Sequence, residues 1–203
     1  MGLKERKERD REKMRAVILK SAHKLFVDRG FDDVSIRNIA EAVEYSPATI
    51  YLYFKNRDEI FYALHQEAFK FFNEYVSDLL KIKDAFKRLI KMGERYIQFS
   101  QEYPKYYTIM FLTESPMHNY KDSEKWQEGR KAHDVLEMTI KECIKQEHFK
   151  GYDYNVLAFT VWSYMHGLCS LALRKRMKIF EGDEQKKMLD KSFKTFKKIL
   201  ESL

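Results

Sequence analysis

The chain is poor in the residues that staple, break or punctuate structure: 203 residues include only 2 Cys, 3 Pro, 7 Gly and 2 Trp. Two cysteines, Cys143 and Cys169, cannot build a disulfide framework and suit a reducing compartment, where each reads most simply as a small buried residue. With so few helix breakers and no strand-rich segment, the composition favours an all-α chain of one or two domains. No uninterrupted apolar run reads as long enough to cross a membrane, and the opening MGLKERKERDREKMR lacks the apolar core of a signal peptide. The expectation is a cytoplasmic protein without a membrane partner. A glycine-rich phosphate loop, a nucleophile elbow and an HExxH pair are all missing, so no catalytic residue and no cofactor are assigned. The best case for an enzyme or a metal-dependent sensor is His166 with Cys169, and Cys143 with His148 elsewhere. These are neither the close Cys/His pairs of structural zinc sites nor three convergent catalytic ligands, and no metal ligand is assigned.

Charge is plentiful, and its placement says more than its sum of +7. Residues 1–57 hold 13 Lys/Arg against 9 Asp/Glu, residues 58–173 hold 15 against 17, and residues 174–203 hold 10 against 5. The N-terminal excess fits a phosphate-binding footprint with a basic arm over residues 1–12. The C-terminal excess reads as the solvated face of a helix.

The segment SIRNIAEAVEYSPATIYLYFKNR, residues 35–57, holds two very short helical patterns back to back. Ser35 is a good N-cap, and Ile36, Ile39, Ala40 and Val43 follow at helical spacing. After a turn at Glu44 and Tyr45, Ser46 and Pro47 supply the preferred cap and first-turn pair, with Ile50 and Phe54 as inward anchors. Two such helices need a third to bury their apolar faces. The preceding segment offers Val17, Ile18, Ala22, Leu25 and Phe26, closed by Gly30. This leaves Pro47, Ala48, Thr49, Tyr51, Leu52 and Tyr53 facing outward, a mixture suited to a DNA groove. Ser46, Thr49, Tyr51 and Tyr53 carry hydroxyls that can bind phosphates, and Lys55 and Arg57 open the next helix, whose free N–H groups also favour anions.

On these residues the chain resembles the TetR family of transcriptional regulators. The family pattern appears as Ser35, Arg37, Ile39, Ala40, Thr49, Ile50, Tyr51, Tyr53, Phe54, Lys55 and Arg57, and AVILKSAHKLFVDRGFDDVS is similar to the family's first helix. Two departures stand out. Glu44 occupies the place of the usual turn glycine, where a positive φ costs a non-glycine residue about 1 kcal/mol. The recognition face also lacks the Arg, Asn or Gln that makes bidentate base contacts, leaving thymine-methyl contacts through Pro47, Ala48 and Leu52. Arg37 is then the candidate for hydrogen-bonded base readout, with a phosphate contact equally open.

Beyond Asn56, a cap with Glu59 three places on, the pattern turns to longer helices at about residues 57–80, 84–101, 104–112, 122–148, 153–176 and 183–203. The first is the expected link between a helix-turn-helix domain over residues 1–56 and a second, helical domain over 57–203. WSYMHG at 162–167 and EYPKYYTIMF at 102–111 resemble one C-terminal subgroup of the TetR family. That resemblance implies a small-molecule effector cavity lined by Trp162 and His166, with Tyr103, Tyr107, Met110, Phe111 and Trp126. Leu189, Phe193, Phe196 and Leu200 repeat in alternating four- and three-residue steps, and Ser163, Gly167 and Ser170 form a row of small residues. Both are read as faces of a homodimer. The resulting expectation is a ligand-responsive regulator, a repressor that binds a palindromic operator in double-stranded DNA as a homodimer and leaves it when the effector binds. A constitutive DNA-organising protein with a filled core is the alternative within the DNA-binding class.

Overall fold

The computed structural model describes residues 2–113 and 127–203, and among these there is no strand. The elements are α1 (Leu3–Arg29), α2 (Ile36–Ala42), α3 (Pro47–Tyr51), α4 (Arg57–Val76), α5 (Ala85–Glu102), α6 (Pro104–Tyr107), α7 (Gln127–Lys145), α8 (Tyr154–Leu173) and α9 (Gly182–Glu201). Short 3-10 turns follow α4 and α8, and a π turn at Thr108–Leu112 continues α6. The all-α expectation holds. The expected arm over residues 1–12 is instead helical from Leu3, since alternating Lys, Arg and Glu are good helix formers and nothing breaks the run before Gly30. The break read at Ser115 and Pro116 lies outside the described residues.

The chain divides into two compact units, residues 1–69 with 105–126 and residues 70–104 with 127–203. The division falls inside α4, at Phe69 and Lys70, rather than at 56/57, and the first unit also takes in the segment after Pro104. The reason lies in α4 itself: Ile60, Phe61 and Leu64 are buried with the short helices, so its first half belongs to their core.

In the first unit α1 buries Ile18, Ala22 and Phe26, four residues apart, while Val17 is 49% exposed, so the apolar stripe is narrower than the sequence suggested. Ser35 caps α2: its hydroxyl accepts from the Asn38 N–H (3.2 Å) and its own N–H donates to Asn38 Oδ1 (2.9 Å). Ser46 caps α3 by accepting from the Thr49 N–H at 3.2 Å. The two helices share Ile39, Ala40, Ile50 and Phe54, all at most 1% exposed. Phe26, Phe31 and Phe61 close the core as a ring trio with centroids 4.9–5.7 Å apart.

In the second unit α5, α7, α8 and α9 pack together. Arg88 of α5 is 4% exposed and fully engaged. Its guanidinium donates to Thr139 Oγ1 (3.2 Å) and the Ile82 carbonyl (2.9 Å) and pairs with Glu142. A buried charge is tolerated only when satisfied in this way. The α9 residues expected to pair two chains lie largely inside this unit. Leu189, Phe196 and Leu200 are 5%, 7% and 5% exposed, Phe196 stacks on Tyr164 at 3.9 Å, and Phe193 rests over Gly93 of α5. The four- and three-residue spacing is therefore an intrachain seam, because the same repeat serves any helix pair.

α8 corrects a second expectation. Its 20 residues carry no Asp, Glu, Lys or Arg, and an 18-residue window reaches a mean hydropathy of 1.5, long and apolar enough to span a membrane. Scattered Tyr, Ser, Thr and Asn disguise the run in the sequence. Here it packs against α5, α7 and α9, yet only 28% of that window is buried.

Candidate functional site

The turn between α2 and α3 aims the second of these helices. The Tyr45 N–H donates to the Ala40 carbonyl (2.9 Å) and the Glu44 N–H to that of Glu41 (3.1 Å), the paired bonds of a left-handed helix C-cap. Glu44 takes φ 59°, the conformation that usually falls to glycine. With Ser46 as its cap, α3 leaves the turn with a fixed outward face. Leu52 is 73% and Tyr51 56% exposed, Pro47 and Ala48 are exposed, and Thr49 and Tyr53 are half-buried. The hydroxyls of Ser46 and Thr49 lie 3.0 Å apart. Arg37 projects from α2 into solvent and makes no ion pair among the described residues, and Ser35 and Lys55 are exposed beside the same surface.

Two arginines hold this surface from behind. Arg15 of α1 donates to the Tyr53 carbonyl at 3.0 Å and lies over the Phe54 ring, 4.2 Å from its centroid, so it ties α1 to the end of α3. Arg57, expected at a phosphate, is turned inward. Its Nη1 donates to the carbonyls of Phe31, Asp32 and Val34 (3.0, 3.1 and 3.2 Å), and the guanidinium lies 4.1 Å from the Phe31 ring centroid. Three carbonyls of the α1–α2 loop take its donors in place of solvent, that of Phe31 while also accepting the Val34 N–H. At the start of α4 the Asn56 side chain accepts from the Glu59 N–H (2.8 Å), and the Glu59 carboxylate accepts from the Lys55 N–H (2.6 Å). Sequence reading missed Arg15, which only the fold brings 38 residues back to Tyr53.

The residues expected at one effector cavity are divided between the two units. Tyr107 is fully buried and Met110 nearly so, and with Phe111 they fill the first unit against Phe69 and His65. Burial holds the His65 imidazole neutral, with a pKa lowered to about 4, against a hydrogen bond to the Met110 backbone. Tyr103 belongs to the second unit, edge-on to Phe71 at 4.8 Å and to Tyr75 at 5.6 Å. Trp162 and His166 are half-buried there beside His133, and His166 Nε2 lies 3.2 Å from Ser170 Oγ. Burial lowers the pKa of His166 too. Trp126 lies outside the described residues. The second unit also carries an open groove of about 390 Å³ between α4, the turn after it and α7, lined by Val76, Leu80, Val135 and Met138 with Asn73, Ser77, Lys131 and Asp134. Sequence reading missed it because aromatic rings, not these aliphatic positions, drew attention. Among the described residues no three His, Cys, Asp or Glu side chains are placed to hold a metal ion, and burial pushes the Cys143 thiol up to about 12.

Residues 18–64 match the profile of the bacterial regulatory proteins of the tetR family, and residues 89–195 that of the tetracyclin repressor-like C-terminal domain. The chain belongs to the TetR family. An uncharacterized HTH-type transcriptional regulator of Haemophilus influenzae is 30% identical over 109 residues, 52% of the present chain. The match spans 56% of that relative, so the chain covers little more than half of its length. Among solved structures, AibR in complex with isovaleryl coenzyme A and operator DNA has a TM-score of 0.65 at 18% identity, covering 88% of this chain and 95% of that one. Bacillus subtilis FadR in complex with stearoyl-CoA gives 0.68 at 17%, with the same coverage. The family is one of bacterial regulatory proteins, and these structures share its fold.

Proposed function

We propose that the protein is an effector-released repressor that binds a palindromic operator as a homodimer. The observation that carries this reading is the outward face of α3, where Pro47, Ala48, Tyr51 and Leu52 stand exposed on a helix fixed by its Ser46 cap and by Arg15. Such a face suits the major groove: Pro47, Ala48 and Leu52 meet thymine methyls, Ser46, Thr49, Tyr51 and Tyr53 bind phosphates, and Lys55 adds charge at the flank. Arg37 is assigned to base readout and Ser35 to the backbone. Arg57, committed to the α1–α2 loop, supports the domain instead.

Dimerisation falls to α8. Val156, Phe159 and Leu171 are 65%, 59% and 52% exposed, and they share a face with Ser163 and Gly167, where an added Cβ at Gly167 would meet nothing within 4 Å. Small residues there permit close approach of a second copy, and pairing sets the spacing of two recognition helices.

The effector is placed in the second unit, where the 390 Å³ groove is within the size of small-molecule sites and Trp162, His166 and Tyr103 lie on the same unit. Its aliphatic lining, and the acyl-CoA ligands of AibR and FadR, favour an acyl-CoA thioester. A coupling of about 1–3 kcal/mol lowers operator affinity roughly 5- to 150-fold. Selection of bound sequences from random DNA yields an inverted repeat, and acyl-CoAs of graded chain length release it. Selection of an inverted repeat that no ligand releases would favour a constitutive DNA-organising protein.

A further inference from the structure

We infer that the first turns of α1 form a basic rail for DNA backbone flanking the operator, an extension of the DNA-binding reading above. Arg15 fixes which side of α1 faces the recognition element, because it reaches the Tyr53 carbonyl just past the end of α3. Counting back along that same stripe at helical spacing gives Arg11, Lys7 and Lys4. All three are exposed, and none makes an ion pair among the described residues. Glu5, Glu8 and Glu12 line up on a neighbouring stripe, and the Gly2 N–H donates to Glu5 at 2.9 Å. These glutamates separate the stripe on one side from a second basic row, Arg6, Arg9 and Lys13, which points away from the Arg15 contact, and Asp10 borders that row.

From Lys4 to Arg15 the stripe spans about 16 Å at 1.5 Å per residue. Each strand carries one phosphate per 3.4 Å or so of the duplex axis, so a rail of this length can meet more than one of them. A rigid helix presents its lysines without the ordering cost of a flexible arm, and its unbroken continuity with the Arg15 contact fixes its register to α3. The partner is duplex backbone outside the base pairs read by α2 and α3, recognised by charge and not by sequence.

The test uses the full chain, with DNA sequences that the wild-type protein itself selects, on two duplexes. One duplex ends at the outer edges of the half-sites and the other carries about ten unrelated base pairs on each side. For K4A/K7A/R11A on the long duplex, the slope of log affinity against log salt becomes shallower by about 0.9 for each phosphate no longer neutralised, up to about 2.7 per chain. On the short duplex wild type and variant coincide. The charge-conserving K4R/K7R/R11K keeps the wild-type slope, and far-ultraviolet circular dichroism confirms that each variant is folded. Equal slopes for wild type and the alanine variant on the long duplex would overturn the rail, as would equal weakening on both duplexes. Wild-type protein that selects no DNA would instead bring down the DNA-binding reading on which the rail rests.

Discussion

Glu44 and His65 show how single positions record what the chain gave up for its shape. Glu44 sits at φ 59° because the α2–α3 turn needs a left-handed residue to close its two hydrogen bonds, and the side chain is exposed. That conformation costs a non-glycine residue about 1–2 kcal/mol, and glycine's extra freedom when unfolded takes back about 0.5–1. Glu44→Gly therefore raises stability by up to about 1.5 kcal/mol in urea denaturation, whereas Glu44→Ala changes it by less than about 0.5. A glycine variant less stable than wild type would mean the turn carries no such strain. His65 works through pH. Its folded pKa is lowered to about 4 from 6.5, so between those values the unfolded chain binds a proton that the folded one refuses. The stability in question is complete above pH 6.5 and is lost as pH falls toward 4, about 3 kcal/mol in all. His65→Leu flattens that part of the stability profile; an unchanged slope would show that the ring is not held neutral. His23 and His166 are shifted the same way by burial and add to the acid sensitivity.

Among the elements, α3 is the most exposed to local chemistry, since five residues cannot hold a helix by propensity alone. Ser46→Ala removes the bond to the Thr49 N–H and costs about 1 kcal/mol. Ser46→Asp keeps an acceptor at the cap and so keeps thermal stability, yet it sets a carboxylate against DNA phosphates and weakens operator binding. If Ser46→Asp bound DNA as tightly as wild type, α3 would not lie against the backbone. The caps at Ser35, Ser46 and Asn56 were legible in sequence because each is a local rule about four or five residues, whereas the missing glycine at Glu44 left that turn open between strain and another geometry. Arg57 was not, since its choice between a phosphate and three loop carbonyls depends on a loop 23–26 residues away. The groove beside α7 and the inward seam of α9 were hidden for the same reason: periodicity tells that a helix has an apolar face, not which partner covers it.

For the whole molecule, α8 makes the assembly testable. A helix with no Asp, Glu, Lys or Arg and only 28% of its apolar window buried is an unusual surface for a lone chain, and Val156, Phe159 and Leu171 put large apolar groups on it. In the proposed dimer, association of two copies would remove that surface from water and link two α3 helices, multiplying a weak half-site contact by about 10²–10⁴. Phe159→Glu places a charge on this face with little effect on the buried core, because the residue is 59% exposed and its ring meets only the half-buried Trp162 ring among the described aromatic contacts. Sedimentation of the wild-type protein at micromolar concentration is expected to give twice the 24.5 kDa chain mass, and Phe159→Glu the single mass with unchanged helical content. Operator affinity then falls by about the same 10²–10⁴, while binding to a duplex with one half-site stays close to wild type. A dimer that survives Phe159→Glu would move the interface elsewhere, and a variant that is monomeric yet binds the full operator at wild-type affinity would separate dimerisation from DNA recognition.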